Sequence, residues 1–259
     1  MMNDAGLSSL TRRGTLVRPD VRARADGSVG QQIAMQILSG ELPPGYVFPT
    51  EVEFAASIGI SRSALREAFR GLSAKGLVES RPKAGTRVTP RRRWSLLDPD
   101  VLAWQFSAEP SEKVIVDLFE LRMIVEPNAA ALAATRRTTA DVESMRVSLE
   151  EMAARGLADP RGQLADQHFH MTMLEATGND MVIALASSIM AAIAWTTIYK
   201  QRKRALPRDP IPEHRTLFET IAAQDPAAAS AAMSELIRLA LLDTEVSLRE
   251  EATPVVQRS

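Results

Sequence analysis

The 259-residue chain contains no cysteine and only three histidines and two tyrosines. Without cysteine it has no disulfide framework, no thiolate metal site and no cysteine nucleophile. It also lacks any run of about 18 apolar residues that would cross a membrane, and its start lacks the apolar core of a signal peptide. The hydrolase motifs H-E-x-x-H and G-x-S-x-G are absent as well. These absences predict a cytoplasmic protein with no membrane segment.

The formal net charge of −1 is the sum of two opposite parts. Residues 1–93 hold 15 Lys and Arg against 8 Asp and Glu, whereas the remaining 166 residues hold 16 against 24. A basic end joined to an acidic remainder is typical of a nucleic-acid-binding module carried by a domain with another task. Chance unevenness is the alternative explanation.

Composition and hydrophobic periodicity divide the chain into five parts. The first part mixes Arg, Gly, Ser and Asp without periodicity, which is typical of a flexible arm. Beyond the linker no strand-like alternation appears, and breaks such as the one at Pro127 predict about six or seven helices. The predicted fold class is mainly α: three helices with a β-hairpin wing, joined to an all-α helical bundle. The predicted parts are an arm (1–24), a winged helix-turn-helix (25–93), a linker (94–110), a helical domain (111–249) and a tail (250–259).

The winged helix is predicted from caps and turns. Thr50 and Glu53 have the spacing of a capping box at the start of one short helix. Ser61 caps the next helix after a tight turn at Gly59, and two short helices joined in this way form a helix-turn-helix. Two short extended runs then flank the sequence PKAG, residues 82–85, which predicts a hairpin with a basic tip.

Arg62, Arg66 and Arg70 form a strip along the second of these helices. The apolar side chains of this helix cluster within about 100° of the helical wheel, and the arginines lie beside them. In the major groove, arginine bridges guanine O6 and N7 or contacts phosphates. Ser61 and Ser63 at the helix start can donate to phosphate oxygens beside free backbone amides. The alternative is a solvated face whose arginines pair with glutamates.

The sequence SGELPPGYVFPTEVEFAASIGISRSALREAFRGLSAKGLVESRPKAGTRV resembles the DNA-binding domain of GntR-family transcription regulators. The resemblance extends over nearly all of residues 28–90. It implies that Arg62 and Arg66 contact operator bases, and that Lys83 and Gly85 of the wing reach the minor groove.

The resemblance also has a departure. Val52 stands where many relatives carry arginine, so the preferred operator is expected to differ from the commonest one. Arg70, one turn further along, is expected to contact phosphate or a neighbouring acid. The candidate DNA-binding residues are Thr50, Ser61, Arg62, Ser63, Arg66, Arg70, Lys83 and Gly85.

The sequences DLFELRMIVEPNAAALAA and ADQHFHMTMLEATGN resemble the all-helical FCD effector domain of the FadR subfamily, over residues 113–247. Asp166 and His170 are four residues apart and share a helical face, and a carboxylate and an imidazole can share a cation. The resemblance implies that Asp166, His170 and His214 fill three of the four ligand positions for a divalent metal such as zinc. Leu236 occupies the fourth position, so metal affinity is expected to fall. The alternative is a polar pocket that hydrogen-bonds the effector directly.

Arg122 matches an arginine that faces the effector cavity in FCD relatives. A guanidinium can hold a carboxylate through two hydrogen bonds; a salt bridge to Glu126, one turn on, is the alternative. The linker sequence RRRWSLLDPDVLAW resembles that of FadR-type repressors of sugar-acid utilisation, including galactonate-type repressors, which implies an aldonate or hexuronate effector. The candidate effector-binding residues are Arg122, Asp166, His170 and His214.

These patterns leave three functions open. The first is a ligand-responsive repressor that binds a palindromic operator as a homodimer and is released when a small carboxylate binds. The second is a metal-dependent hydrolase anchored to nucleic acid, for which no general base or catalytic motif is found. A purely architectural DNA binder would leave the pocket residues unexplained. The sequence therefore predicts a regulator and no enzyme.

Overall fold

The structure is a computed structural model that describes residues 28–81, 84–107, 110–203 and 208–249. The chain forms two compact units, which are divided between Pro110 and Ser111 and are described separately below. The predicted arm (1–24), the predicted tail (250–259) and Lys83 lie outside the described residues.

The second and third helices begin at the predicted caps, Thr50 and Ser61. The Thr50 hydroxyl accepts the amide of Glu53 at 3.3 Å, and the Glu53 carboxylate accepts the amide of Thr50 at 3.1 Å. The Ser61 hydroxyl accepts the amide of Ala64 at 3.1 Å. The first helix ends at Gly40, whose φ of +88° suits glycine. The helices are α1 (Val29–Ser39), α2 (Glu51–Ser57) and α3 (Arg62–Ala74).

A two-stranded antiparallel hairpin follows α3. Val78 pairs with Val88 at one end of the hairpin, and Arg81 pairs with Gly85 at its tip. Gly76 leads into the hairpin with a φ of +73°, and a Cβ there would lie 2.0 Å from the carbonyl oxygen of Arg93, so only glycine fits. The elements are β1 (Val78–Arg81), β2 (Gly85–Val88), a 3-10 helix (Arg91–Arg93) and α4 (Pro99–Ser107), the last within the stretch predicted as a linker.

One apolar core joins these elements. Each large apolar side chain buried in it stabilises the fold by about 1.5–3 kcal/mol. The Trp94 indole lies in this core and donates a hydrogen bond to the Thr89 carbonyl at 3.0 Å. The packing holds α3 along its apolar side and leaves its arginine strip exposed. The core residues include Ile33, Ile37, Phe48, Leu65, Phe69, Leu72, Val78, Val88 and Trp94.

The second unit is helical throughout its described residues, and the mainly α fold with an N-terminal winged helix is confirmed. Helix α5 packs against α11, and α6 packs against α7. No helix in the described ranges has the length and hydrophobicity needed to cross a membrane. The helices are α5 (Glu112–Arg136), α6 (Thr139–Arg155), α7 (Pro160–Glu175), α8 (Asp180–Ala184), α9 (Ala186–Lys203), α10 (Ile211–Ala222) and α11 (Pro226–Arg249).

The break predicted at Pro127 is wrong, because α5 continues through this residue. A proline inside a helix removes one hydrogen bond and strains the preceding turn. Pro127 is buried, and so are Phe119 before it and Ala130 after it. The apolar packing on both sides of Pro127 outweighs the lost hydrogen bond, so the helix runs on without a break.

Candidate functional site

The start of α2 lies beside α3 on the N-terminal unit. Glu51, the first residue of α2, accepts a hydrogen bond from the Arg66 Nε of α3 at 2.6 Å. Thr50 precedes Glu51 directly, and the Ser61 and Ser63 hydroxyls lie 3.0 Å apart at the start of α3. This arrangement exposes hydroxyl groups and a guanidinium along the helix-turn-helix.

The three arginines of α3 differ in their partners. Arg66 pairs with Glu51, and Arg70 Nη1 donates to Glu67 at 3.1 Å. Arg62 is exposed and forms no ion pair within the described part of the chain. Val52 is also exposed, at 55%, so the position that is arginine in many relatives faces solvent. Arg62 is therefore the arginine of this strip whose guanidinium is exposed without an ion pair to a described residue.

On the wing, the carboxylate of Glu79 in β1 forms ion pairs with three arginines. Its carboxylate lies 2.8 Å from Arg93, 2.6 Å from Arg87 and 3.3 Å from Arg81. Hydrogen bonds from Arg93 and Arg87 lower the pKa of Glu79 to about 2. Gly85 lies exposed at the tip of the hairpin. The wing is thus basic, but much of its charge is already paired.

A pocket in the C-terminal unit brings all four effector candidates together. Arg122 comes from α5, Asp166 and His170 from α7, and His214 from α10, and each is less than 5% exposed. Leu236 of α11 also lines this pocket. Side chains that are distant in sequence thus converge because helices α5, α7, α9, α10 and α11 pack around one cavity.

Asp166, His170 and His214 present ligand atoms that all lie within 4.8 Å of one another. Asp166 Oδ1 is 3.0 Å from His214 Nε2 and 3.9 Å from His170 Nε2. Burial alone would raise the pKa of Asp166, but His214, His170 and Arg122 outweigh it and hold that pKa below its ordinary value. The carboxylate is therefore ionised beside two imidazoles.

The second nitrogen of each imidazole has a different neighbour. His214 Nδ1 is 2.8 Å from the Pro210 carbonyl oxygen, and His170 Nδ1 is 3.1 Å from Glu126 Oε2. A carbonyl oxygen only accepts hydrogen bonds, so His214 Nδ1 carries a proton, and Nε2 is the nitrogen that faces Asp166 in the pocket. This buried Nε2 has no hydrogen-bond partner within the described ranges. The donor set fits a divalent cation held by Asp166 and two Nε2 atoms.

Arg122 forms the salt bridge that was the alternative interpretation, and its side chain also lines the pocket. Its Nε donates to Glu126 Oε1 at 2.6 Å, so the salt bridge is present. Burial alone would raise the pKa of Glu126, but Arg122 and His170 outweigh it and lower that pKa. The terminal nitrogens of Arg122 make no hydrogen bond to the described residues, and the side chain lines the pocket. They remain available to a bound acid.

Sequence reasoning missed three charged residues of the pocket wall. Lys200 lies on α9, just after the apolar run of that helix. Arg208 lies in the proline-rich segment before α10, and Asp243 lies on α11. Arg208 pairs with Glu213 at 2.6 Å and with Asp243 at 3.4 Å. The only local signal for Lys200 is its place as the first charged residue after the apolar run of α9. Arg208 and Asp243 gave no such signal, because the residues that line the pocket with them come from other parts of the chain.

Comparisons with known proteins agree with this architecture. The family model described as "Bacterial regulatory proteins, gntR family" matches residues 26–88, and the FCD domain model matches residues 117–239. The HTH-type transcriptional regulator YieP of Escherichia coli K12 is 31% identical, over 81% of this chain and 91% of its own length. The galactonate operon transcriptional repressor of the same organism is 31% identical, over 79% of this chain and 90% of its own.

The fold also matches a solved structure. The structure published for Lar, which controls the Listeria monocytogenes agr system, has a TM-score of 0.58 and is 19% identical. The match covers 84% of this chain and 94% of that one. None of these comparisons supports the hydrolase alternative. The chain belongs to the GntR family of transcription regulators with an FCD effector domain, which bind operator DNA and small-molecule effectors and are not enzymes.

Proposed function

We propose that this regulator is a repressor of an operon for sugar-acid or other carboxylate catabolism, released from its operator when a carboxylate binds the FCD pocket. The observation that carries the proposal is the convergence of Arg122 with Asp166, His170 and His214 in one buried pocket. The name of one relative, a galactonate operon repressor, supports the sugar-acid class.

The proposed DNA contacts follow from the exposed surface of the winged helix. Arg62 contacts operator bases. Arg66 contacts bases as well after its hydrogen bond to Glu51 is broken. Thr50, Ser61 and Ser63 meet phosphates, while Arg70 contacts phosphate or remains with Glu67. On the wing, Lys83 and Gly85 approach the minor groove. A homodimer matches a palindromic operator, because a two-fold axis relates its two winged helices. We infer that operator binding takes place in the cytoplasm, where operator DNA is found.

We also propose that Asp166, His170 and His214 hold a divalent metal such as zinc. The distance of 3.0 Å between His214 Nε2 and Asp166 Oδ1 supports this assignment, since the two atoms face each other favourably only with a cation or a proton between them. Glu126 would orient His170 from behind, as carboxylates do for metal-binding histidines. A bound metal would supply positive charge for effector oxygens. Leu236 offers no ligand, so affinity depends on three side chains.

The proposal is tested by measuring operator release. Fluorescence anisotropy of labelled operator DNA is followed while gluconate, galactonate, glucuronate and other carboxylates are added, with and without Zn²⁺. At least one acid is expected to release DNA, and His170→Ala or His214→Ala is expected to weaken the response. If no acid in the panel changes DNA affinity, the proposed effector class is wrong. If both histidine variants respond like the wild type, the pocket has been misplaced.

A further inference from the structure

The cations on the pocket wall differ in how well they are neutralised. Arg208 contacts the carboxylates of Glu213 and Asp243. Arg122 contacts Glu126 through Nε alone. Lys200 forms neither an ion pair nor a hydrogen bond with any residue in the described ranges. The ammonium of Lys200 is therefore the least compensated positive charge among the described residues of this pocket.

An ammonium in this position is costly without an anion. Lys200 is partly buried, and burial is the largest cause that lowers its pKa, to about 8. Asp243 and Asp166 favour its charged form, whereas Arg122 and Arg208 oppose it. Two cations that line one cavity repel each other at short range in a medium of low dielectric constant. An anion between Lys200 and Arg122 would remove this repulsion.

We propose that Lys200 binds the acid group of the effector, together with the terminal nitrogens of Arg122. The assignment rests on the proposed carboxylate-responsive function and adds to it a residue and an orientation. The carboxylate lies between the two cations, and the neighbouring hydroxyl oxygens face Asp166, His170 and His214. The ligand class is a hydroxylated carboxylic acid, and the matching uncharged polyol is disfavoured because it brings no negative charge to Lys200 or to the terminal nitrogens of Arg122.

The position of Thr196 and Thr197 supports this orientation. Both are buried on α9, one turn before Lys200, and both line the pocket. The Thr196 hydroxyl donates to the backbone carbonyl of Ala192 at 2.8 Å, which leaves its oxygen lone pairs able to accept from a ligand hydroxyl. One face of α9 thus supplies an ammonium for the carboxylate of the effector and a hydrogen-bond acceptor for its hydroxyl groups.

The test compares full-length wild type with Lys200→Gln, Lys200→Arg and Lys113→Gln. Lys113 is exposed on α5, pairs with Asp117 alone among the residues that the structure describes, and serves as the charge-matched control. Isothermal titration with Zn²⁺ present measures the Kd of gluconate, galactonate and glucuronate, and of glucitol and galactitol as neutral counterparts. Thermal unfolding of each ligand-free variant shows that it is folded. Lys200→Gln is expected to weaken acid binding at least about tenfold and to leave the much weaker polyol binding unchanged. Lys200→Arg and Lys113→Gln are expected to retain acid binding.

Each contrary result has its own meaning. If wild type binds an acid and Lys200→Gln binds it equally well, the assignment of Lys200 is overturned while the proposed function stands. If Lys200→Gln weakens acid and polyol by the same factor, Lys200 only shapes the pocket and the assignment is overturned. If wild type binds none of the acids, the effector class fails and the assignment fails with it.

Discussion

At the scale of single residues, Arg62 of α3 forms no ion pair with any described residue, unlike Arg66 and Arg70. Replacing Arg62 by Ala is expected to remove about 1–3 kcal/mol of discrimination between the operator and a base-substituted site. Arg70→Ala is the matched control, because Arg70 already pairs with Glu67. It is expected to weaken binding to all sequences alike and to lower the salt dependence. Competition binding with both DNA sites measures the difference. Unchanged sequence preference in Arg62→Ala would contradict the proposed base contact.

Leu236 offers a second test at this scale. It lines the pocket at the position where metal-binding relatives are expected to carry a fourth ligand, and it is 4% exposed. Leu236→His is expected to tighten Zn²⁺ binding at least about tenfold, the size of effect that even an outer-shell partner produces. Leu236→Met is the control, since it preserves volume without adding an imidazole. Competition with a chromophoric chelator measures both. Equal zinc affinity in the two variants would show that the ion does not lie near Asp166.

At the scale of helices and strands, the sequence predicts well whatever depends on neighbours in the chain. The capping box of Thr50 and Glu53 and the turn at Gly40 are local, so their signals suffice. Pro127 is also a local signal, but packing of α5 overrides it. The pairing of Arg66 with Glu51 joins two helices, so no spacing within one helix predicts it.

The same difference between local signals and contacts across helices applies to the pocket. Asp166 and His170 share one helical face and were found from their spacing, and His214 was found through the family resemblance. Lys200 and Arg208 belong to the same cavity, yet nothing near them in sequence links them to α7. Only the packing of the bundle brings these groups together.

The wing provides a prediction at this scale. Glu79 has a pKa of about 2, against an ordinary value of 4.5. A lowered carboxylate pKa means that the ion cluster with Arg81, Arg87 and Arg93 stabilises the fold fully above pH 4.5. The contribution is lost progressively as the pH falls from 4.5 towards 2. Glu79→Gln is therefore expected to unfold at a lower temperature than wild type near neutral pH, and the gap is expected to shrink in acid.

Thermal unfolding across pH 2–7, followed by circular dichroism, measures this gap. Glu120→Gln, on the exposed side of α5, is the control for a lost surface charge. The Glu79 variant also frees three arginines on the wing, so its affinity for nonspecific DNA at low salt is expected to rise. If the difference in unfolding temperature between wild type and Glu79→Gln stayed constant down to pH 2, the ion cluster around Glu79 would not stabilise the fold as proposed.

At the scale of the whole molecule, the opposite charges of the two parts correspond to two kinds of ligand. The basic N-terminal part meets DNA, a polyanion. The C-terminal part is acidic overall, so the proposed anionic effector would depend on cations gathered locally, Arg122 and Lys200 among them. An acidic domain that does not itself attract DNA keeps operator binding in the winged helix. Effector and DNA then act on each other through the protein and not by competing for one surface.

Such an arrangement predicts reciprocal linkage. If a carboxylate weakens operator binding by some factor, the operator must weaken carboxylate binding by the same factor, because both follow from one coupling free energy. For a coupling of about 1–3 kcal/mol the factor is roughly 5–150. The effector Kd is measured by titration of the free protein and of the operator complex, and the operator Kd with and without saturating effector. Arg122→Gln is expected to abolish both shifts together and to leave operator affinity without effector unchanged. Unequal factors in the wild type would mean that the acid acts on DNA binding by a route other than the FCD pocket.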